Sequence, residues 1–273
     1  MEQQGPASSP GPSARAQTYI TAAPADYDRH VGRYGRRLAQ LFLRAVGTYP
    51  GQRGLDVGCG TGALTLEMSQ LFGPENVRAI DPSPAFVERT RERVWGVEVV
   101  QGWAEELPWA DATFDAVMAQ LVVDLPEKPG HAVVEMRRVG RPGGVVAGCV
   151  WDYGGEMTLL RAFWDAALAV DPEGAGPLDE ANLLLADQFQ LGELWRACGF
   201  TAVSLGQIVI TAFYKDFDDC WAPFAAGVGP SGTYAAALPP EGQEALRTEL
   251  FKRLGSPEGF FELTARAWWV AGS

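Results

Sequence analysis

The sequence predicts an α/β fold, with a mostly parallel sheet carrying helices on both faces. Three observations predict it. Short apolar runs alternate with helix-length amphipathic stretches between residues 53 and 151. A strand, a glycine turn and a helix start follow one another in Arg53-Gly-Leu-Asp-Val-Gly-Cys-Gly-Thr-Gly-Ala63. An acidic residue, Asp81, ends the next apolar run at the distance where such folds place a ribose-binding carboxylate.

In the first segment Leu55 and Val57 supply the apolar strand residues. Gly58, Gly60 and Gly62 allow a sharp turn and a close backbone approach to a ligand. The helix over 63–71 then points its free N–H groups at that turn. Glycine spacing alone leaves two readings open, because Gly58-Cys-Gly-Thr-Gly-Ala63 also satisfies the dinucleotide pattern G-x-G-x-x-G/A. Asp56, two positions before the first glycine, argues against a dinucleotide: its carboxylate repels a pyrophosphate and suits an ammonium group. S-adenosylmethionine (SAM) has that ammonium and no phosphate. Asp56-Val-Gly-Cys-Gly-Thr-Gly62 closely resembles the first motif of the class I SAM-dependent methyltransferases.

Composition narrows the reading. The chain has 273 residues, 47% of them apolar, enough for one sizeable core with insertions. A formal charge of −12 excludes nucleic acid as the expected substrate, since phosphate binding needs a basic surface. Cys59, Cys149, Cys198 and Cys220 form no C-x-x-C pair, and with only His30 and His131 no zinc constellation is visible. Small buried thiols in a reducing compartment are the expectation. No signal-peptide pattern and no apolar run of membrane-spanning length is present, which points to a cytoplasmic protein. Residues 1–17, rich in Pro, Gly, Ser and Gln, read as a disordered tail, with a single domain expected over 18–273.

Residues 24–46 read as a helical segment in which Arg29, Arg33 and Arg37 share one face. Composition alone makes that a solvated basic face. Tyr27-Asp-Arg-His-Val-Gly-Arg-Tyr-Gly-Arg-Arg-Leu-Ala39 resembles the N-terminal segment of a bacterial small-molecule branch of the methyltransferases, similar to those of ubiquinone and menaquinone biosynthesis. That resemblance implies that Tyr27, Arg33 or Tyr34 touches the amino-acid part of SAM. Asp81 can accept from two ribose hydroxyls at once, with Pro82 beside it; Ser83 is the better N-cap for the helix that follows.

Gly102 to Val117 resembles the family segment Gly-Asp-Ala-Glu-x-Leu-Pro-Phe-x-Asp-x-Ser-Phe-Asp, with Trp103 in place of the acidic residue. Trp103 cannot accept a hydrogen bond through its side chain, although it can stack on a purine. The Ala104 backbone N–H and Glu105 remain the expected adenine contacts. Gln120 falls at a strand end that faces cofactor or substrate in the family. Asp124 reads either as a base, if its pKa is raised, or as a helix cap. Asp152 and Tyr153 are further positional candidates for acceptor chemistry.

Arg141-Pro-Gly-Gly144 reads as a turn before a strongly apolar strand, 145–151. Insertions follow at about 152–188 and 214–257, and the chain closes on an edge or hairpin strand over 261–271. The resemblance implies a Rossmann-like, seven-stranded, mostly parallel sheet with its last strand antiparallel and helical insertions forming a small cap. It also implies SAM as cofactor, no metal, and methyl transfer to an O, N or C nucleophile of a small molecule. Trp151, Trp164, Trp221 and Phe224 in or beside the insertions either pack the cap or line a pocket for an aromatic or lipid-like acceptor. Two alternatives are a SAM-binding protein that transfers no methyl and an NAD(P)-dependent oxidoreductase.

Overall fold

A computed structural model describes residues 13–273. The helices are α1 (Ala14–Ile20), α2 (Pro24–His30), α3 (Gly32–Ala45), α4 (Ala63–Phe72), α5 (Pro84–Arg93), α6 (Pro129–Val139), α7 (Thr158–Val170), α8 (Pro172–Ala175), α9 (Gln188–Ala197), α10 (Phe217–Ala225), α11 (Gly229–Ala237) and α12 (Pro240–Arg253). The strands are β1 (Gly54–Val57), β2 (Val77–Asp81), β3 (Glu98–Gln101), β4 (Phe114–Gln120), β5 (Gly140–Trp151), β6 (Val203–Tyr214) and β7 (Phe261–Gly272). They form one sheet in the order β3-β2-β1-β4-β5-β7-β6. β3, β2, β1, β4 and β5 run parallel, and β7 is antiparallel to both β5 and β6. The last strand is therefore inserted between its neighbours, and β6 takes the edge. The strand order reverses between β1 and β4, which opens a crevice at their carboxyl ends.

Side-chain alternation divides the core. Leu55, Val57, Val117, Ala119, Val146 and Val150 face one layer, which α6 and α9 cover with Met136 and Trp195. Ala116, Met118, Ala147, Cys149 and Trp151 face the other, covered by α3, α4 and α7. The apolar runs of β4 and β5 thus bury both faces, as expected of central parallel strands. Asp56 sits between Leu55 and Val57, so the same alternation turns it toward α4.

Besides the interior place of β7, expected at an edge or in a hairpin, and the inclusion of residues 141–144, expected as a turn, in β5, two findings differ from the sequence reading. Residues 14–17, assigned by composition to a tail, form the start of α1, capped by the Ser13 hydroxyl accepting from the Ala16 N–H. Residues 1–12 lie outside those described. The helical segment over 24–46 is two helices, α2 and α3, joined at Val31.

Trp195 shows how the sheet admits a large ring. It is fully buried and its Nε1 donates to the Val146 carbonyl at 3.0 Å. A Cβ at Gly148 would lie 2.7 Å from this ring, so glycine there makes the space. Trp195→Ala leaves a cavity and removes a donor to the Val146 carbonyl. The expected loss is about 3–5 kcal/mol, read as a lowered urea midpoint at unchanged m-value.

Candidate functional site

The glycine turn adopts a backbone that side chains resist. Gly58, Gly60 and Gly62 have φ of 72°, 53° and 86°, a region costing an L-residue about 1–2 kcal/mol each. Space adds a second constraint at Gly58, where a Cβ would fall 2.5 Å from Val122. The Gly58 and Cys59 N–H groups both donate to the Ile80 carbonyl, at 2.8 and 3.0 Å, and tie the turn to β2. Asp28 of α2 adds a lateral tie by accepting from the Thr61 hydroxyl.

Two carboxylates flank this turn. Asp81 accepts from the Gly60 N–H through Oδ2 (2.8 Å) and from the Ser83 N–H through Oδ1 (2.9 Å). Each oxygen keeps a lone pair for another donor, and the backbone bonds fix its orientation. Asp56 accepts from the Thr65 hydroxyl through Oδ2 at 2.6 Å, while its buried Oδ1 has no partner among the described residues. Burial pushes Asp56 up to about 7, helped by the charge of Asp81, and pushes Asp81 up to about 6. Gln120 repeats the pattern: its Nε2 donates to the Gly35 carbonyl at 3.1 Å, and its buried Oε1 is unpartnered. Asp56 and Gln120 line one small cavity, so two orphaned acceptors share a space that a cationic donor would satisfy.

That cavity adjoins a larger cleft. Tyr27, Val31, Gly58 and Leu121 line both. The cleft is mostly apolar with a few convergent polar groups, the usual make-up of a small-molecule site. Asp81, Pro82, Phe86, Trp103, Ala104 and Glu105 contribute to its wall. Burial pushes Glu105 up from the usual carboxylate value. Leu121, Leu125, Trp151 and Tyr153 bring in the ends of β4 and β5, and no lysine, arginine or histidine lines the cleft among the described residues. The cavity and cleft together therefore gather Tyr27, Asp56, Gly58, Gly60, Asp81, Pro82, Trp103, Ala104, Glu105 and Gln120 of the sequence-predicted set.

Five predicted residues stand elsewhere. The Asp124 side chain is buried against Arg15 at 2.7 Å and accepts from the Tyr153 hydroxyl, which itself lines the cleft. Arg33 points to the cap, where its guanidinium pairs with Asp219 at 2.8 Å, donates to the Phe213 carbonyl and lies over the Tyr214 ring. Tyr34 is buried, with its hydroxyl 2.5 Å from that of Tyr214. Its ring abuts Trp151, which itself lines the cleft. The break between α2 and α3 at Val31 sets the faces: Val31, Gly32 and Gly35 line the small cavity, whereas Arg33 and Tyr34 turn to β6. Gly62 is the N-cap of α4, packed against Thr90. Asp152 is structural: it accepts from the Glu156 N–H and pairs with Arg266 at 2.7 Å.

Sequence reasoning missed α1. Ser13, Ala16, Tyr19 and Ile20 form part of the cleft wall, and the helix is tied down at both ends. The Ser13 hydroxyl donates to the Leu125 carbonyl, and the Ser83 hydroxyl donates to the Ile20 carbonyl at 2.9 Å. Ser13 before a helix-length run was the available signal. Leu121 was also missed. Its φ of 61° is unusual for a non-glycine residue and falls where both cavities meet.

The raised Asp56 has a consequence for stability. Because its folded value lies above the unfolded one, folding takes up a proton. The contribution is complete below the ordinary carboxylate value of 3.8 and is lost as pH rises through about 7. Asp81 acts in the same direction. The urea midpoint of the ligand-free protein is expected to fall over this range, by on the order of a few kcal/mol. Asp56→Asn is expected to flatten that fall.

Comparison with known proteins places this geometry. The methyltransferase domain family matches residues 55–148, which carry the glycine turn, Asp81 and the strand end at Gln120. A 2-methyl-6-phytyl-1,4-hydroquinone methyltransferase of Oryza sativa is 39% identical over 109 residues, 39% of this chain and 30% of that protein. A demethylmenaquinone methyltransferase of Renibacterium salmoninarum is 37% identical over 109 residues, 40% of this chain and 45% of that one. The match thus spans less than half the length of either relative. Among solved structures, a SAM-dependent methyltransferase of Thermotoga maritima superposes with a TM-score of 0.52 at 21% identity, covering 91% of this chain and 98% of its own. The family match is thus confined to residues 55–148, and the likeness to the Thermotoga structure is one of fold.

Proposed function

We propose that the chain binds SAM in this cleft and passes its methyl group to an apolar small-molecule acceptor. The observation that carries the reading is the pair of orphaned acceptors, Asp56 Oδ1 and Gln120 Oε1, beside the glycine turn. An ammonium group supplies the missing donors and the missing positive charge. A pyrophosphate supplies neither, which disfavours a nicotinamide nucleotide in the same turn.

Asp56 and Gln120 would hold the amino-acid part of the cofactor, with Tyr27 between that space and the cleft. Asp81 would take the ribose hydroxyls. Pro82, Phe86 and Trp103 would face the adenine, whose edge meets the Ala104 N–H and Glu105. When bound, SAM supplies an activated methyl on a positively charged sulfur. The protein's part is to hold an acceptor near it and keep water out. Trp151, Leu121 and Leu125 give the acceptor side an apolar wall, and α1 covers it. The absence of a cationic wall residue among those described favours an acceptor without negative charge. Relatives named for a hydroquinone and for demethylmenaquinone fit that description, and an aromatic or lipid-like acceptor is the substrate class we assign.

Calorimetric titration tests the cofactor. SAM is expected to bind and NAD(H) to give no signal. Asp81→Ala removes a charged acceptor for two hydroxyls, worth about 1.5–3 kcal/mol each, so affinity should fall by roughly 100-fold or more. Binding should also release a proton near pH 7, because a bound ammonium restores the ionised form of Asp56. The observed heat should therefore depend on buffer ionisation enthalpy, and Asp56→Asn should abolish that dependence. SAM binding that is indifferent to Asp81→Ala would overturn the assignment.

A further inference from the structure

A second buried polar group lies next to the cleft and is not used by the cofactor reading. Its centre is Arg15, brought in by α1. One Arg15 Nη atom donates to Asp124 Oδ2 at 2.7 Å. The other donates to the Tyr153 hydroxyl at 2.6 Å and to Glu180 Oε1 at 3.0 Å. The Tyr153 hydroxyl in turn donates to Asp124 Oδ2 at 3.1 Å. The Asp124 and Glu180 side chains are 3% and 2% exposed. Trp164 Nε1 donates to the second oxygen of Glu180 at 3.0 Å.

The charge count is uneven. Two carboxylates face one guanidinium, which leaves one uncompensated negative charge in a buried place. Burying a net charge is costly, and taking up one proton neutralises the group. The Tyr153 hydroxyl already points its proton at Asp124 Oδ2, while Oδ1 of the same carboxylate is buried with no partner among the described residues. Only one member of the group lines the cleft: Tyr153, on the same wall as Trp151 and Leu121. Tyr19 of α1 also faces the cluster and is neutral, because burial holds its hydroxyl well above the usual range. Asp179, next along the chain from Glu180, pairs with Arg161 at 2.8 Å, and Arg161 also pairs with the partly exposed Asp165.

We propose that Tyr153 and Asp124 form a proton outlet for a hydroxyl group on the acceptor, with Arg15 and Glu180 setting its charge. This rests on the methyl-transfer reading above and names the reacting atom as a hydroxyl oxygen. The acceptor O–H bond breaks and its proton passes to the Tyr153 oxygen, while Tyr153 gives its own proton to Asp124 Oδ2. The acceptor oxygen takes the methyl, and the electron pair of the broken S–CH₃ bond stays on sulfur, which becomes a neutral thioether. Arg15, held against the Tyr153 oxygen, stabilises the negative charge there while the proton moves. The products are a methyl ether and a protonated Asp124, so the cluster goes from one negative charge to none. Tyr153 touches the acceptor, while Arg15 is a positioning residue, and α1 must be closed for the outlet to be complete.

The test uses 4-nitrophenol, whose phenol and phenolate forms absorb at different wavelengths, added to the full chain saturated with sinefungin. Sinefungin is a cationic analogue with no transferable methyl group, and its binding is measured calorimetrically in the same samples. Below the midpoint of the free dye, bound 4-nitrophenol is expected to show the phenolate band. Tyr153→Phe and Asp124→Asn are each expected to lose that band while still binding sinefungin. Tyr153→Phe removes one oxygen and keeps the ring, so it remains readable if Asp124→Asn fails to fold. A neutral bound dye in the wild type, a phenolate band that survives in Tyr153→Phe, or no dye binding would each overturn the outlet. Loss of sinefungin binding by the wild type would instead overturn the cofactor reading on which it rests.

Discussion

Two carboxylates are buried beside one glycine turn, and most of the local structure serves to keep them there. Asp56 and Asp81 occur on neighbouring parallel strands, 1% and 5% exposed. Neither has a cationic partner among the described residues. Asp81 is stabilised by two backbone N–H groups, which exist only because Gly60 takes a positive φ and Ser83 begins a helix turn. Asp56 has only the Thr65 hydroxyl, and one oxygen goes unsatisfied. A buried carboxylate in that state raises its own pKa and weighs against stability. The same energy is returned when a cationic donor arrives. The ligand-free protein thus keeps a buried acceptor open to a cationic donor beside Asp81, which is what the proposed cofactor binding draws on.

The sheet was legible because its signals are local. Alternating short apolar runs and helices, a glycine turn and one acidic residue at the right distance suffice to give five parallel strands. The resemblance gave the antiparallel seventh strand. It did not place β7 inside the sheet with β6 at the edge, since strand order depends on which backbone groups pair across a long connection. The cleft wall was legible where the backbone itself makes it, as at Gly58, Gly60, Asp81 and Ala104. Arg33 and Tyr34 lie past the break between α2 and α3 at Val31, which the sequence pattern runs through as one helix, and they meet Asp219 and Tyr214 instead. Composition hid α1, because Pro, Gly and Ser before residue 13 dominate the window that contains it.

α1 links the two halves of the site. It contributes apolar wall residues to the cleft and a guanidinium to the acceptor side, through side chains on one short helix. Seven residues cannot hold a helix in water by propensity alone. Its stability comes from the Ser13 and Ser83 hydroxyls at its ends and from Arg15 in its first turn, and all three bonds reach parts of the site. Packing of α1 and completion of the site are therefore one event. Without α1, Asp124 and Glu180 would face each other across the Tyr153 hydroxyl with no cation between them.

Charge also decides what can enter. The chain carries a formal charge of −12, and the one guanidinium near the acceptor wall is committed to Asp124, Tyr153 and Glu180. A phosphorylated or carboxylated acceptor would meet repulsion from the surface and find no free cation inside, so its desolvation would go uncompensated. An uncharged ring meets Trp151, Leu121 and Leu125 and loses little on leaving water. The polar end of such a ring meets the Tyr153 hydroxyl on that wall, which can both accept and donate. On the proposed reading, selectivity for neutral apolar acceptors and the removal of their proton share one cause: among the described residues the cation beside that wall, Arg15, is held between two carboxylates.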